Sequence, residues 1–128
     1  MKQYKHRIAD ILLRDRLEET GAVLIEGPKW CGKTTTAEQQ AKSVIYVADP
    51  EKQGMYREMA DLQVKVLLMG VTPRLIDVWQ IIPQVWDAIR FEVDHRGEEG
   101  QFILTGSAVP VSTDKIHHTG TGRFAWVT

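Results

Sequence analysis

Hydrophobic positions recur along this chain in two alternating patterns, which predict helices and buried strands in turn. Between Tyr4 and Leu17 the apolar residues recur at helical spacing among charged ones, and Gly21 supplies a stop. Short, continuous apolar runs are typical of strands covered on both faces of a parallel sheet. The predicted strands are 22–25, 44–47, 74–79 with its end near Asp77, 101–105 and 124–127.

The segments between these runs carry helical patterns. Strong helix formers fill 33–42, Asp49 is the expected N-cap of a polar helix reaching Leu62, and a third helix begins at Pro83 and ends at Gly97. The apolar face of that third helix comprises Ile82, Val85, Trp86, Ile89 and Val93. Alternation of strands and helices predicts an α/β fold with a parallel sheet, in a single domain covering residues 1–128.

Composition narrows the class of protein further. The chain has 128 residues, 43% of them hydrophobic, which suits one globular domain with a core. A formal net charge of -1 gives no indication of nucleic-acid binding, and no apolar run approaches the roughly 20 residues of a membrane span. With a single cysteine and no apolar signal segment at the N-terminus, the sequence predicts a cytoplasmic protein.

The strongest chemical motif lies between the first predicted strand and the helix that follows it. Its eight residues match the spacing G-x-x-x-x-G-K-[ST] and are Gly27, Pro28, Lys29, Trp30, Cys31, Gly32, Lys33 and Thr34. Glycines let successive backbone N–H groups surround phosphate oxygens at the positive end of the helix. Lys33 would bridge the outer phosphates of ATP, Thr34 would ligate Mg²⁺, and Thr35 would add a further contact.

A phosphate loop requires an acidic residue at the end of a neighbouring strand, which holds the magnesium ion directly or through water. Asp77 is the preferred candidate, and as an alternative it would be a turn residue. Asp49 also follows a predicted strand, but the adjacent Pro50 and Glu51 favour a role as a helix cap.

Four segments together resemble the AAA-type ATPases of bacteria and archaea that carry a C-terminal domain of unknown function. They are 27–36 (GPKWCGKTTT), 72–80 (TPRLIDVWQ), 102–108 (FILTGSA) and 118–123 (HTGTGR). The resemblance implies a P-loop fold with an AAA-like parallel sheet flanked by helices. It also implies a core incomplete at the C-terminal end, before the lid and C-terminal domain.

The resemblance also implies roles for individual residues. Gly27, Lys33 and Thr34 match the Walker A positions, and Asp77 matches the Walker B aspartate. Thr105 and Ser107 lie where the family places a sensor of the terminal phosphate, and both remain candidates. Arg123 matches an arginine finger that serves a neighbouring subunit, which implies a homo-oligomer, although a surface arginine is an equal alternative.

One position departs from the family pattern. The family usually has Asp-Glu where this sequence has Asp77-Val78, so the glutamate that orients the attacking water is missing. Glu26 and Glu51 are the candidates to replace it, but each is more simply interpreted as a surface or first-turn acid. The sequence therefore predicts ATP binding with weak hydrolysis. The alternatives are a non-catalytic, nucleotide-gated interaction module, a small-molecule phosphotransferase, and a non-functional fragment of an ATPase.

Overall fold

The computed structural model of the chain describes residues 3–26, 33–106 and 124–127. Five strands are present: β1 (Ala22–Glu26), β2 (Ser43–Tyr46), β3 (Arg74–Asp77), β4 (Phe102–Gly106) and β5 (Phe124–Val127). Four α-helices accompany them: α1 (Gln3–Glu19), α2 (Lys33–Gln40), α3 (Gln53–Gln63) and α4 (Gln84–Arg96). Within the described ranges, short 3₁₀ helices cover Val64–Leu68 and Trp79–Ile81. The predicted α/β class is confirmed.

All the strand pairs are parallel, and the order across the sheet is β2-β3-β4-β1-β5. Strand β4 therefore lies between β1, which leads into the Gly-rich loop, and β3, which ends at Asp77. Parallel strands end at the same edge of a sheet, so the ends of β1, β3 and β4 meet at one carboxyl edge. This edge is where an α/β sheet normally places its ligands.

Helices cover both faces of the sheet, as its apolar strands require. One core layer joins α1 and α2 to the strands through Leu13, Leu17, Val23, Ile25, Ala37, Leu75 and Ile103. The other joins α3, α4 and both 3₁₀ helices to the opposite face, and it includes Leu24, Leu68, Ile76, Trp79, Trp86, Ile89, Phe102 and Leu104. Adjacent strand residues alternate between these two layers, so the face to which a residue belongs follows from its position in the strand.

Helix α4 confirms the prediction from apolar spacing. Val85, Trp86, Ile89 and Val93 are buried. The ring centroid of Trp86 lies 5.2 Å from that of Trp79. Gly97 follows in a left-handed conformation with a φ of 64°, and its N–H bonds to the carbonyl of Val93. A glycine adopts that conformation at no steric cost, which explains why the helix ends there.

The predicted start of α3 is wrong. The helix begins at Gln53 after Lys52, rather than at Asp49. Asp49 instead closes a turn, because its Oδ1 accepts a hydrogen bond of 2.9 Å from the backbone N–H of Glu51. The carboxylate of Asp49 thus accepts a hydrogen bond within the turn that precedes α3, as Asp side chains commonly do in turns.

The two 3₁₀ helices were not predicted from the sequence, because segments of three to five residues carry no usable period. Trp79 was expected near the end of β3, but it turns into the core and is only 7% exposed. Among the described helices, none combines the length and the apolar character that crossing a bilayer would take.

Candidate nucleotide site

Three polar side chains form a row at the carboxyl edge of the sheet. Tyr46 pairs with Asp77 in the register of β2 and β3, and Asp77 pairs with Thr105 in the register of β3 and β4. Side-chain alternation places Asp77 with Leu75, and Thr105 with Ile103, on the face that α1 and α2 cover. Helix α2, which begins at Lys33 directly after the Gly-rich loop, packs across β1, β4 and β3 on that face.

The hydroxyl of Thr105 joins the ends of two strands. Its Oγ1 donates to Oδ1 of Asp77 at 2.5 Å and accepts from the backbone N–H of Val78 at 3.3 Å. Thr105 is fully buried, whereas Asp77 is half-buried. A hydroxyl carries only one hydrogen, and Thr105 donates it to the carboxylate of Asp77. This hydrogen bond fixes the orientation of Asp77.

Val78 occupies a conformation that is rare for its type. Its φ of 60° and ψ of 56° lie in the left-handed region, where it is the sole non-glycine residue of the described chain with a positive φ. A branched Cβ is crowded there at a cost of about 1–2 kcal/mol. The turn nevertheless reverses the chain immediately after Asp77, sending Trp79 into the core. Such strain is often found beside functional sites.

Tyr46 extends the row toward α2. Its phenol donates a short hydrogen bond to Oε2 of Glu38 on that helix. This bond, together with burial and the negative charges of Glu38 and Asp77, raises the pKa of Tyr46 from 10.0 to about 12. Tyr46 is therefore a neutral hydrogen-bond donor at physiological pH, engaged by Glu38.

The last residue of β4 is in close contact with a side chain, which a Cβ at this position would displace. A Cβ built on Gly106 would overlap Oε1 of Gln80 and would lie 2.5 Å from both Cδ and Nε2 of that side chain. The amide of Gln80 thus lies across the end of β4. Position 106 alternates with Thr105, so Gln80 approaches the edge from the face packed by α3 and α4.

The structure brings together only part of the predicted site. Lys33 and Thr34 form the first turn of α2, where the backbone alone is described, and Thr35 is exposed. The other residues of the loop, from Gly27 to Gly32, lie outside the described residues, as do Ser107 and Arg123. Asp77 stands at the end of β3 as predicted, while Asp49 is engaged in its own turn.

The residues at this edge fit a magnesium ion brought by a nucleotide. Within the described ranges, no three His, Cys, Asp or Glu side chains come close enough to form a metal cage. Mg²⁺ needs no such cage, because it is usually held by one or two protein oxygens together with phosphates and water. A single oriented carboxylate, that of Asp77, is the type of ligand such an ion takes.

The fold and this edge define the class of protein. A parallel α/β sheet with a Gly-x-x-x-x-Gly-Lys-Thr sequence between β1 and α2 is a P-loop architecture. A family model described as an AAA domain matches residues 19–128. The chain therefore belongs to this family of AAA-type, P-loop ATPase-like proteins, and nucleotide binding is the function of the family. Searches of curated proteins and of solved structures found no match.

Sequence reasoning missed three features of this edge. Gln80 received no role, although it follows the end of an apolar strand by three residues, where polar groups often face ligands. The left-handed turn at Val78 could not be predicted from the sequence, because a β-branched residue disfavours that conformation. Thr105 was weighed only as a sensor, and its bond to Asp77 depends on a strand register that the sequence does not specify.

Proposed function

We propose that this protein binds Mg-ATP at the carboxyl edge of its sheet and hydrolyses it slowly. The observation that carries the proposal is the carboxylate of Asp77. It is held by Thr105 at 2.5 Å, on the face covered by the helix that follows the Gly-rich loop. Membership of an AAA domain family supports nucleotide binding in general. The finer assignment to ATP and magnesium rests on the motif and on this carboxylate.

Each residue has a stated part in the proposal. The backbone of residues 27–32 would surround the phosphates, Lys33 would bridge the outer ones, and Thr34 and Asp77 would hold the metal. When bound, Mg²⁺ supplies charge neutralisation at the phosphates. Thr105 positions Asp77, so contact with the terminal phosphate is assigned to Ser107. We further propose that the protein acts in the cytoplasm.

Slow hydrolysis follows from Val78. An apolar side chain accepts no proton and orients no water, and loss of a positioned general base typically costs about 10²- to 10⁴-fold in rate. We assign this role to no other glutamate, and Glu51 in particular is an exposed residue of the turn that Asp49 closes. ATP binding through backbone amides, Lys33 and the metal does not depend on position 78.

The test compares phosphate release by the parent with that by Val78→Glu, using Val78→Met as a control of similar length that carries neither a base nor an amide. The glutamate should raise the rate by about 10-fold or more, while the affinity for Mg-ATP stays within about threefold. A glutamate variant no faster than the parent would show that Val78 is not the cause of slow turnover.

A nucleotide-gated interaction module is the second candidate function, and Val78 is the observation that favours it. In that case ATP would stabilise an assembly, with Arg123 contacting the nucleotide of a neighbouring copy. Sedimentation with and without Mg-ATP tests this function. Assembly that depends on ATP, proceeds without phosphate release and is lost in Arg123→Ala would select it, whereas a monomer under both conditions would reject it.

A further inference from the structure

The side chain of Gln80 lies at the carboxyl edge of the sheet. Its amide covers Gly106, the last residue of β4. Gly106 pairs in register with Glu26, the last residue of β1, after which the Gly-rich sequence begins. Gln80 therefore lies at the end of the strand between β1 and β3, and β3 is the strand that carries Asp77.

Asp77 and Gln80 approach this edge from opposite faces. The carboxylate of Asp77 belongs to the face of α1 and α2, where Thr105 holds it. Gln80 comes from the face of α3 and α4, because position 106 alternates with Thr105. A group bound between them would meet a metal ligand on one side and an amide on the other.

The turn that follows β3 determines where the amide of Gln80 lies. The left-handed turn at Val78 and the following 3₁₀ helix direct Trp79 into the core, where it packs on Trp86. Anchoring Trp79 leaves its neighbour Gln80 half-buried at the edge. A side chain at position 106 would displace the amide, so the glycine is what allows it to lie there. The strain at Val78 thus has a structural consequence at Gln80.

An amide at this place has a definite chemical use. Its Oε1 is buried against Gly106, while its Nε2 carries two N–H donors, which can hold the oxygen of a water molecule and a phosphate oxygen together. Glutamine orients the attacking water in some P-loop enzymes, where it acts without taking a proton. We propose that Gln80 orients the attacking water in this protein and provides the slow hydrolysis that remains without a glutamate at position 78.

In the proposed step, the water oxygen forms a bond to the terminal phosphorus. The bond between that phosphorus and the bridging oxygen breaks, and its electron pair leaves with ADP. The proton lost by the water passes to the released phosphate, because the amide of Gln80 does not accept it. Gln80 is thus a catalytic residue that contacts the water. This step rests on the proposed binding of Mg-ATP.

Three variants and a control test the assignment. Gln80→Ala removes the amide, and Gly106→Ala keeps Gln80 but occupies its place. The double variant Gln80→Ala/Gly106→Ala asks whether the two changes act through one contact. Gln84→Ala is the matched control, since Gln84 is an exposed amide four residues along whose Nε2 lies 3.4 Å from Oδ1 of Asp61.

The measurements are calorimetry with Mg-ATP, phosphate release under single-turnover conditions, and calorimetry with Mg-ADP plus aluminium fluoride, which imitates the transferring phosphate. Gln80→Ala and Gly106→Ala should bind Mg-ATP within about threefold of the parent. Each should lose about 10-fold or more in phosphate release and in affinity for the aluminium fluoride complex. The double variant should be no slower than Gln80→Ala, because effects acting through one contact do not add. Gln84→Ala should match the parent.

The possible failures are distinguishable. A folded parent that does not bind Mg-ATP overturns the proposed function, and the role of Gln80 falls with it. Normal Mg-ATP binding with no phosphate release by the parent leaves the proposed binding intact but overturns both the slow hydrolysis and the role of Gln80. A Gln80→Ala variant that keeps the parent rate and the parent affinity for the aluminium fluoride complex overturns only the role of Gln80. A double variant markedly slower than Gln80→Ala would mean that Gly106 acts independently, which also contradicts the proposal.

Discussion

The two ends of strand β3 each hold one charged residue, and they use it differently. Arg74 begins the strand and Asp77 ends it, only three residues later. In both cases a hydroxyl on the neighbouring strand contacts the charged group, namely Ser43 of β2 for Arg74 and Thr105 of β4 for Asp77. The comparison contrasts a charge that is buried in the fold with one that lies half-buried at the carboxyl edge of the sheet.

At the amino end the polar groups bind to the chain itself. The guanidinium of Arg74 donates to the carbonyl of Leu67 at 2.8 Å and to Oγ of Ser43 at 3.1 Å, and that hydroxyl donates to the carbonyl of Val71 at 2.6 Å. Arg74 is only 9% exposed, and its burial lowers its pKa. A Cβ on Gly70 would collide with the guanidinium, so the loop is fitted around it.

At the carboxyl end the arrangement is more open and more strained. Asp77 is half-buried, the next residue adopts a left-handed conformation, and a second polar side chain, Gln80, lies at the same edge. Backbone strain that persists in a folded chain is commonly retained for function. We therefore expect substitutions at Arg74 to affect stability, and substitutions at Asp77 to affect ligand binding.

The largest effect on stability is expected for Arg74→Met. The variant keeps much of the side-chain volume but leaves the buried carbonyl of Leu67 and the hydroxyl of Ser43 without their charged donor. The free energy of unfolding should fall by about 2–3 kcal/mol in urea denaturation. Arg90→Met is the control, because its ion pair with Asp87 is at the surface and should contribute less than about 1 kcal/mol. Equal losses in both variants would remove the distinction between the two ends.

Asp77→Asn should produce the opposite result. The affinity for ATP in the presence of magnesium should fall about 10-fold or more, which corresponds to about 1.4 kcal/mol, since an amide is a poorer metal ligand than a carboxylate. Stability should change by less than about 1 kcal/mol. Calorimetry with and without magnesium measures the first quantity and urea denaturation the second. Asp61→Asn, an exposed carboxylate beside Gln84, is the control.

Thr105→Val tests the link between the carboxylate and the strand that positions it. The valine nearly preserves the shape but removes the hydroxyl from Asp77 and from the N–H of Val78. Unfolding free energy should fall by about 1–2 kcal/mol, with a several-fold loss of magnesium-dependent affinity. Thr105→Ser should keep the affinity while losing about 0.8 kcal/mol for the missing methyl group. If serine and valine weaken magnesium binding equally, Thr105 does not orient Asp77.

The strain at Val78 can be isolated by comparing Val78→Gly with Val78→Ala. At most positions glycine is less stable than alanine by about 0.5–1 kcal/mol. At a left-handed position the order should invert, making glycine the more stable variant by about 1 kcal/mol. Urea denaturation of the two variants decides the matter, and an alanine variant at least as stable as the glycine one would show that the turn is not strained.

The smallest expected effect concerns Tyr46, which lies at the outer end of the row that it forms with Asp77 and Thr105. Because the pKa is raised from 10.0 to about 12, the bond to Glu38 stabilises the fold below pH 10, and this contribution disappears as the pH rises toward 12. Tyr46 is 40% exposed, so Tyr46→Phe should cost no more than about 0.5 kcal/mol at pH 8. The parent and the variant should converge in stability at pH 11–12. A difference that grows with pH would contradict the assignment.

The sequence predicted the elements that follow from the spacing of apolar residues. It did not predict the side-chain contacts that depend on how the strands pair. Apolar runs located the strands, and spacing located the buried face of α4, because burial on one side imposes a period. Asp77 was expected at a strand end because the motif requires an acid there, and β3 does end at this residue. The bond from Thr105 to Asp77 and the contact of Gln80 with Gly106 join residues 28 and 26 positions apart, and the pairing of β3 with β4 brings them together.

The central claim is that the Gly-rich loop and Asp77 bind Mg-ATP. Calorimetric titration of Mg-ATP into the parent and into Lys33→Ala tests it most directly, with phosphate release recorded on the same samples. Saturable binding by the parent that is lost in Lys33→Ala, accompanied by slow release of phosphate, is the predicted result. A well-folded parent that binds no Mg-ATP, or a Lys33→Ala variant that binds it equally well, would contradict the account.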